Sequence, residues 1–245
     1  MQELMGVMLG ALRQDTLRIE RIGVNLANAL TPAYQREILV ATPTPTRAVA
    51  GGGFAQMVRS MEPGASPDLQ VVRDMRPGTL KATGQPWDLA LASGGYFEVM
   101  TPDGPAYTRR GQFQLDAAGR LVTMQGFPVM GLDGEIRPGP DTPRVALNGQ
   151  IRAGDRTAGQ LKLVQFDDIQ ALRHLDAGYF ASDAPGVLIP ELQVSVRQGF
   201  LENANVNHSQ EMVDLMRTMR HFESMTRVLQ GYDDMLGGAI RKLGD

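Results

Sequence analysis

NHSQEMVDLMRTMRHFESMTRVLQGYDDMLGGAIRKL, residues 207–243, is the stretch on which the fold turns. Taken at alternating steps of three and four, it gives Met212, Leu215, Met219, Phe222, Thr226, Leu229, Asp233, Leu236, Ile240 and Leu243. That spacing is the a/d seam of a coiled coil. Asn207, with Gln210 three residues on, reads as a capping box that opens the helix. No proline interrupts the stretch, and at 1.5 Å per residue it runs roughly 50 Å. So long a helix, with one narrow apolar stripe, needs a partner along its length.

The other end of the chain supplies one. Met1, Met5, Met8, Leu12, Asp15, Ile19, Ile22 and Leu26 alternate four and three in the same way. Either stripe alone would suit an amphipathic helix lying on a globular core. Two matched seams at opposite termini, around a helix-poor middle, favour an N-terminal helix paired with a C-terminal one. Thr226, Asp233 and Asp15 are polar seam positions, of the kind that fixes register at some cost in stability.

Composition narrows the function classes. A chain of 245 residues can hold one large domain or two ordinary ones. Its 28 glycines and 15 prolines point to many turns. Net charge is −3 and no basic patch stands out, which argues against nucleic acid as a partner. There is no cysteine, hence no disulfide framework. No apolar run approaches the roughly 20 residues of a bilayer span. Glu3 precedes any lysine or arginine and no small-residue cleavage pattern follows, so the first segment reads as a structural helix and not as a Sec-type signal peptide.

Along the chain, residues 1–40 read as the N-terminal helix and an arm. The helix closes near Asn28, a residue that tolerates the left-handed closing turn, and Thr31-Pro32 forces extended geometry. Residues 41–79 read as an extended connector with little regular structure: Thr-Pro-Thr-Pro at 42–45, a Gly51–Gly53 hinge, Pro63-Gly64, Pro67 and Pro77-Gly78. Residues 80–198 read as an all-β domain of short runs punctuated by Gly94-Gly95, Asp103-Gly104 and Ala118-Gly119, as consecutive hairpins would be. Residues 199–245 carry the C-terminal helix. The fold class is mixed α and β: long terminal helices paired as a coiled coil, with an inserted all-β domain and an extended connector.

A search for chemistry finds little. The three histidines, His174, His208 and His221, belong to no metal-ligand spacing; His208 and Glu211, one turn apart, read as solvated helix surface, and His174 as loop or surface. No G-x-S-x-G is present. Gly51–Gly53 lacks the Lys-Ser/Thr of a phosphate loop. Asp167-Asp168 and Asp233-Asp234 are sequence neighbours whose side chains diverge, which makes poor acid/base pairs. No catalytic, cofactor-binding or metal-ligating residue is assigned, and the chain is read as no enzyme.

Asn25-Leu-Ala-Asn28-Ala-Leu-Thr31-Pro-Ala33-Tyr34 resembles the N-terminal signature of the flagellar rod and hook proteins, in which the first helix closes with N-x-A-N-x-x-T-x-G-Y. Gly199-Phe-Leu201-Glu202-Asn203-Ala-Asn205-Val206 is similar to the element introducing that family's C-terminal helix. Between them, Thr83–Ala90, Tyr107-Thr108-Arg109-Arg110-Gly111-Gln112-Phe113 and Asp116–Thr123 resemble its β-domain segments. Ala33 stands where the family usually has glycine; if that position needs a positive φ, alanine costs energy there. The middle is too short for a hook subunit, which points to the rod and, within it, to the proximal type.

The resemblance implies a structural protein without cofactor. It would leave the cell through the flagellar export apparatus without a cleaved signal. It would stack helically in the periplasm, with copies of itself and other rod proteins, into the hollow shaft that carries torque. Met5, Met8, Leu12, Ile19, Ile22, Leu26, Met212, Leu215, Met219, Phe222, Leu229, Leu236 and Ile240 would then form the assembly seam. The alternatives are a distal-rod or hook subunit of the same family, a secreted carbohydrate- or peptide-binding β-domain on a coiled-coil oligomerisation stem, or a hydrolase on the β-domain. Because isolated helices are marginal in water, residues 1–40 and 205–245 are expected to be largely disordered in a lone chain and to order on joining the assembly.

Overall fold

The computed structural model describes residues 2–42, 68–139, 142–154, 156–168, 172–175 and 178–243, with side chains at all of these but 2–4, 42, 68, 236 and 238–243. The Gly51–Gly53 hinge, Pro63-Gly64, Pro67 and all but the first residue of the Thr-Pro repeat lie outside the described residues. The chain folds into two compact units: Met1–Ala27 with Glu37–Arg73 and Asn207–Asp245, and Asn28–Arg36 with Asp74–Val206.

The first unit is built on two helices, α1 (Gln2–Ala27) and α2 (His208–Leu243). They pack against each other as the matched stripes predict. Asp15 meets His221 and Asn25 meets Glu211, so ten residues forward on α1 match ten residues back on α2. The pair is antiparallel with constant register. Strands β1 (Glu37–Thr42) and β2 (Asp68–Arg73) form an antiparallel ribbon in this unit, Glu37 opposite Arg73 and Thr42 opposite Asp68. Among the described residues of 41–79, the regular structure is the end of β1 and the whole of β2. Asp68-Leu-Gln-Val-Val-Arg73 has β-formers at its centre, and a partner about thirty residues upstream gives them a ladder.

The second unit is the β-domain. Its strands are β3 (Leu80–Ala82), β4 (Leu89–Leu91), β5 (Tyr96–Thr101), β6 (Gly104–Thr108), β7 (Phe113–Leu115) and β8 (Leu121–Thr123). They continue as β9 (Met130–Gly131), β10 (Gly134–Glu135), β11 (Pro143–Val145), β12 (Gln150–Ala153), β13 (Arg156–Gln160) and β14 (Leu163–Gln165). The last are β15 (Arg173–His174), β16 (Tyr179–Ala181), β17 (Val187–Leu188), β18 (Val196–Gln198) and β19 (Phe200–Glu202). The largest sheet runs β15-β16-β6-β5-β14-β17, antiparallel throughout. Alternation along β5 splits its side chains between two clusters. Phe97 and Val99 join the main core with Leu89, Leu91, Leu121 and Ile151, while Tyr96 joins Tyr107, Val164, Leu172 and Phe180. Both faces of the central strands are thus covered, which is why β5 begins with four buried residues. Gly111 has a steric role here: a Cβ on it would lie 1.4 Å from the Leu89 carbonyl oxygen.

Candidate functional site

With no chemistry in the sequence, the candidate site is the helix pair and the motif residues that fold the chain around it. On α1 the expected seam residues are buried to different degrees. Met8, Asp15 and Ile22 are buried, Leu12, Ile19 and Leu26 are half-buried, and Met5 is exposed. On α2 the inner face is turned one residue from the expected stripe. Glu211 and Thr218 are buried, and Leu215, Phe222, Met225, Leu229 and Tyr232 are half-buried, again in steps of four and three. Met212 and Met219 lie outside this face, 44% and 49% exposed, with Met216 beside them. Leu236 and Ile240 lie on α2 at positions whose side chains are outside the described set.

Polar contacts fix the register. The Asp15 carboxylate, almost fully buried, is 2.5 Å from His221 Nδ1. Asn25, also buried, donates from Nδ2 to the Glu37 carbonyl at 2.8 Å and accepts the Glu37 backbone N–H on Oδ1 at 2.8 Å. Its Nδ2 also approaches Glu211 Oε2 at 3.4 Å. Glu37 in turn accepts from Arg21 Nη1 at 3.0 Å and Arg73 Nη2 at 2.8 Å. Of the polar seam positions, Asp15 finds a cross-helix partner. Thr226 bonds back to the Phe222 carbonyl in its own helix, and Asp233 is exposed. The capping box forms by half: Asn207 Oδ1 accepts the Gln210 N–H at 3.1 Å, while the Gln210 side chain turns to Asp214.

In the β-domain unit the remaining motif residues stitch three segments together, 28–36, 74–83 and 199–206. Asn28 caps the first of these, accepting the Thr31 N–H and its hydroxyl. Tyr34 accepts the Asn205 N–H at 3.2 Å through its carbonyl. Asn205 accepts the Arg36 N–H on Oδ1 at 2.6 Å and donates to the carbonyls of Asp74 and Arg76 at 2.7 and 2.8 Å. One amide side chain closes all three segments. Glu202 is buried. Its carbonyl accepts the Ala33 N–H, Oε1 accepts the Gly78 N–H, and Oε2 accepts from Arg109 Nε at 2.8 Å. Arg109 also donates to the Gly95 carbonyl at 2.7 Å. Gly199 has φ 76° and accepts the Thr83 and Gly84 N–H groups; Leu201 is buried and Val206 half-buried. Ala33 takes φ 55°, so the turn keeps the glycine geometry without the glycine.

Sequence reasoning passed over Arg109, Glu37, Thr218 and the Asp15–His221 pair, and it read Glu211 as solvated helix surface where the helix pair buries it. Arg109 lay within a quoted motif, but its partner is 93 residues away. Two acids sit on local scaffolds. Hydrogen bonds from the Arg120 N–H, then from its side chain, hold the Asp116 carboxyl below the usual carboxylate range, against burial. For Asp74 the Arg76 side chain does this first and the Arg76 N–H second, again against burial. Burial pushes the Tyr96 hydroxyl up. Among the described residues no group of three or more His, Asp or Glu side chains stands where it could hold a metal ion. Nor is any helix among them long and apolar enough to cross a membrane.

Two family models match the chain. One is the flagellar basal body rod FlgEFG protein C-terminal region, over residues 197–241, and the other the flagellar hook protein FlgE/F/G D1 domain, over residues 90–155. The chain is 33% identical over 251 aligned residues to the flagellar basal-body rod protein FlgF of Escherichia coli K12, covering 96% of each. It is 32% identical to FlgF of Salmonella typhimurium at the same coverage. FlgG of Buchnera aphidicola from Acyrthosiphon pisum is 30% identical, over 88% of this chain and 90% of that one. An end-to-end likeness at this level, on a chain whose termini pair and enclose a β-domain in sequence, places it: the chain belongs to the flagellar basal-body rod protein family.

Proposed function

We propose that this chain is a structural subunit of the bacterial flagellar basal-body rod. It stacks with copies of itself and with other rod proteins through its terminal helices, in the periplasmic hollow shaft that carries torque, and reaches that place through the flagellar export apparatus with its first helix intact. The observation that carries the reading is the antiparallel helix pair with an outer stripe left over: Met212, Met216 and Met219 recur at i, i+4 and i+7 on the flank of α2 next to its buried face. A pair that buries one side of each helix and leaves methionines on another is suited to further helices; methionine packs adaptably against them. Met5, Met212 and Met219 thus serve neighbours, while Met8, Leu12, Ile19, Ile22, Leu26, Leu215, Phe222 and Leu229 serve the pair. Repeated contacts between unlike surfaces whose rotation does not close build a helix and not a ring.

The test is isolation of basal bodies from a strain in which the gene is deleted and then restored. The restored chain should co-purify with the rod, its N-terminal peptide intact by mass spectrometry, and the deletion should be non-motile. Complete basal bodies and normal swarming in the deletion strain would overturn the reading. A closed dimer or trimer in solution would then favour the binding domain on a stem.

A further inference from the structure

Asn148-Gly149, in the turn between β11 and β12, is the one place in the chain where glycine follows asparagine. The turn needs both residues. Gly149 holds φ 82°, in the left-handed region that favours glycine. Asn148 bonds in three directions. Its Nδ2 donates to Glu191 Oε1 at 2.6 Å, its Oδ1 accepts the Gln150 N–H at 3.2 Å, and its carbonyl accepts from Gln160 Nε2 at 3.4 Å. The backbone on either side is tied as well. The Val196 N–H donates to the Leu147 carbonyl at 2.9 Å, and the Leu161 N–H donates to the Gly149 carbonyl at 3.0 Å. Gly149 itself is buried, and its N–H donates to the Ala146 carbonyl at 2.9 Å.

The pair that this turn demands is also its weakest point chemically. In an open chain the glycine nitrogen reaches the asparagine side chain with no Cβ in the way. Once deprotonated, the Gly149 nitrogen attacks Asn148 Cγ. The N–Cγ bond forms, the Cγ–Nδ2 bond breaks, and Nδ2 leaves as ammonia, taking up a proton that balances the one lost from Gly149. Water then opens the cyclic imide at either carbonyl and leaves aspartate or isoaspartate. Nothing is oxidised or reduced, and water is the sole co-reactant. The closed turn opposes the first step. A buried, hydrogen-bonded N–H gives up its proton only when the structure around it opens, and Glu191 and the Gln150 N–H hold the side chain at both of its polar atoms.

We infer that Asn148 is a succinimide-forming modification site that the folded turn, clamped by Glu191, keeps inert, so that its amide is lost only when the turn opens. The change would not reverse. Aspartate at 148 would set a carboxylate against Glu191 where the amide now donates, and isoaspartate would add a backbone atom to a turn whose Gly149 is bonded on both its N–H and its carbonyl. The site stands in the β-domain and does not depend on the rod reading.

The test is to incubate the full chain in mildly alkaline buffer, folded and in urea, and to follow Asn148 by peptide mass mapping. Loss of the amide should be slower in the folded chain by about tenfold or more, and amide exchange at Gly149 should slow by a similar factor, because both steps remove the same proton. Glu191→Ala alters an exposed residue. It should raise the folded-state rate by about threefold to tenfold, the worth of one hydrogen bond to a charged group, and leave the rate in urea unchanged. Equal rates in the folded and the unfolded chain would overturn the inference. So would a folded-state rate unaltered by Glu191→Ala, or loss of the amide in a folded chain whose Gly149 amide stays unexchanged.

Discussion

Ala33 holds φ 55° at the turn after α1, with its N–H bonded to the Glu202 carbonyl. A non-glycine residue in the left-handed region costs about 1–2 kcal/mol, against about 0.5–1 kcal/mol for the extra chain entropy of glycine. Ala33→Gly should therefore stabilise the β-domain by about 0.5–1 kcal/mol, read as a urea midpoint raised by a few tenths molar with the sole tryptophan, Trp87, as fluorescent probe. An unchanged midpoint would mean that the turn accommodates alanine without strain. Asp116 gives the pH test. Its folded-state pKa is depressed, chiefly by the Arg120 N–H and side chain. Its contribution is therefore complete above the unfolded value, about pH 4, and is lost as pH falls through the folded one. Asp116→Asn should be less stable than wild type at pH 7, and the gap should close on acidification. A gap constant from pH 7 to pH 2 would show that the carboxylate charge is not what holds this turn. Ala33 was legible as a departure from the motif; its φ was not, because a missing glycine is equally consistent with a different turn.

On α2, two stripes one residue apart both contain Leu215, Phe222 and Leu229. Hydrophobicity prefers the one that adds Met212 and Met219, yet the chain buries the one that adds Glu211 and Thr218. Helix length, start and pairing were readable in the heptads, but which side faces α1 was not. A buried polar residue reads as solvated until its partner is known, and these are set by an antiparallel register anchored at Asp15–His221 and Asn25–Glu211. β2 was hidden likewise, because its short run after Pro67 becomes a strand only against β1. Neighbouring substitutions separate the two faces. Thr218→Asp places an unpaired charge in the pair, a change of several kcal/mol, and should reduce helical circular dichroism of the lone chain. Met219→Asp alters an exposed side chain and should leave that signal within error, since surface changes stay within about 0.5 kcal/mol. It should nonetheless abolish motility, because the outer stripe then meets a neighbouring helix with a charge. Normal swarming by Met219→Asp would remove that stripe from assembly. The histidines divide in the same way. His221→Ala deprives a buried carboxylate of its partner and should destabilise the pair by about 1–3 kcal/mol.

Across the whole molecule, apolar burial is distributed unevenly. Among the described side chains, Met8 and Ile22 are the buried apolar residues of the helical unit, while the β-domain unit holds two clusters reaching from Leu89 to Val196. Full burial of a large apolar side chain is worth about 1.5–3 kcal/mol. Two of them, with half-buried neighbours and a few polar pairs, leave long helices close to the limit at which isolated helices persist. Stability is therefore expected to differ between the units, with the helices opening locally while the β-domain stays closed. The family motif fits that division. Glu202, Asn205 and Arg109 secure the β-domain where segments 28–36 and 199–206 meet within it, so it need not depend on the helices for its own closure. Amide hydrogen exchange on a dilute, verified monomer tests this directly. Residues 80–200 should stay protected while α1 and α2 exchange within seconds, and incorporation into basal bodies should raise helix protection toward that of the β-domain. Protection across Met212–Tyr232 equal to that of β5 in the monomer would contradict it, and would mean that the Asp15–His221 and Asn25–Glu211 register alone is enough to hold the pair closed before assembly.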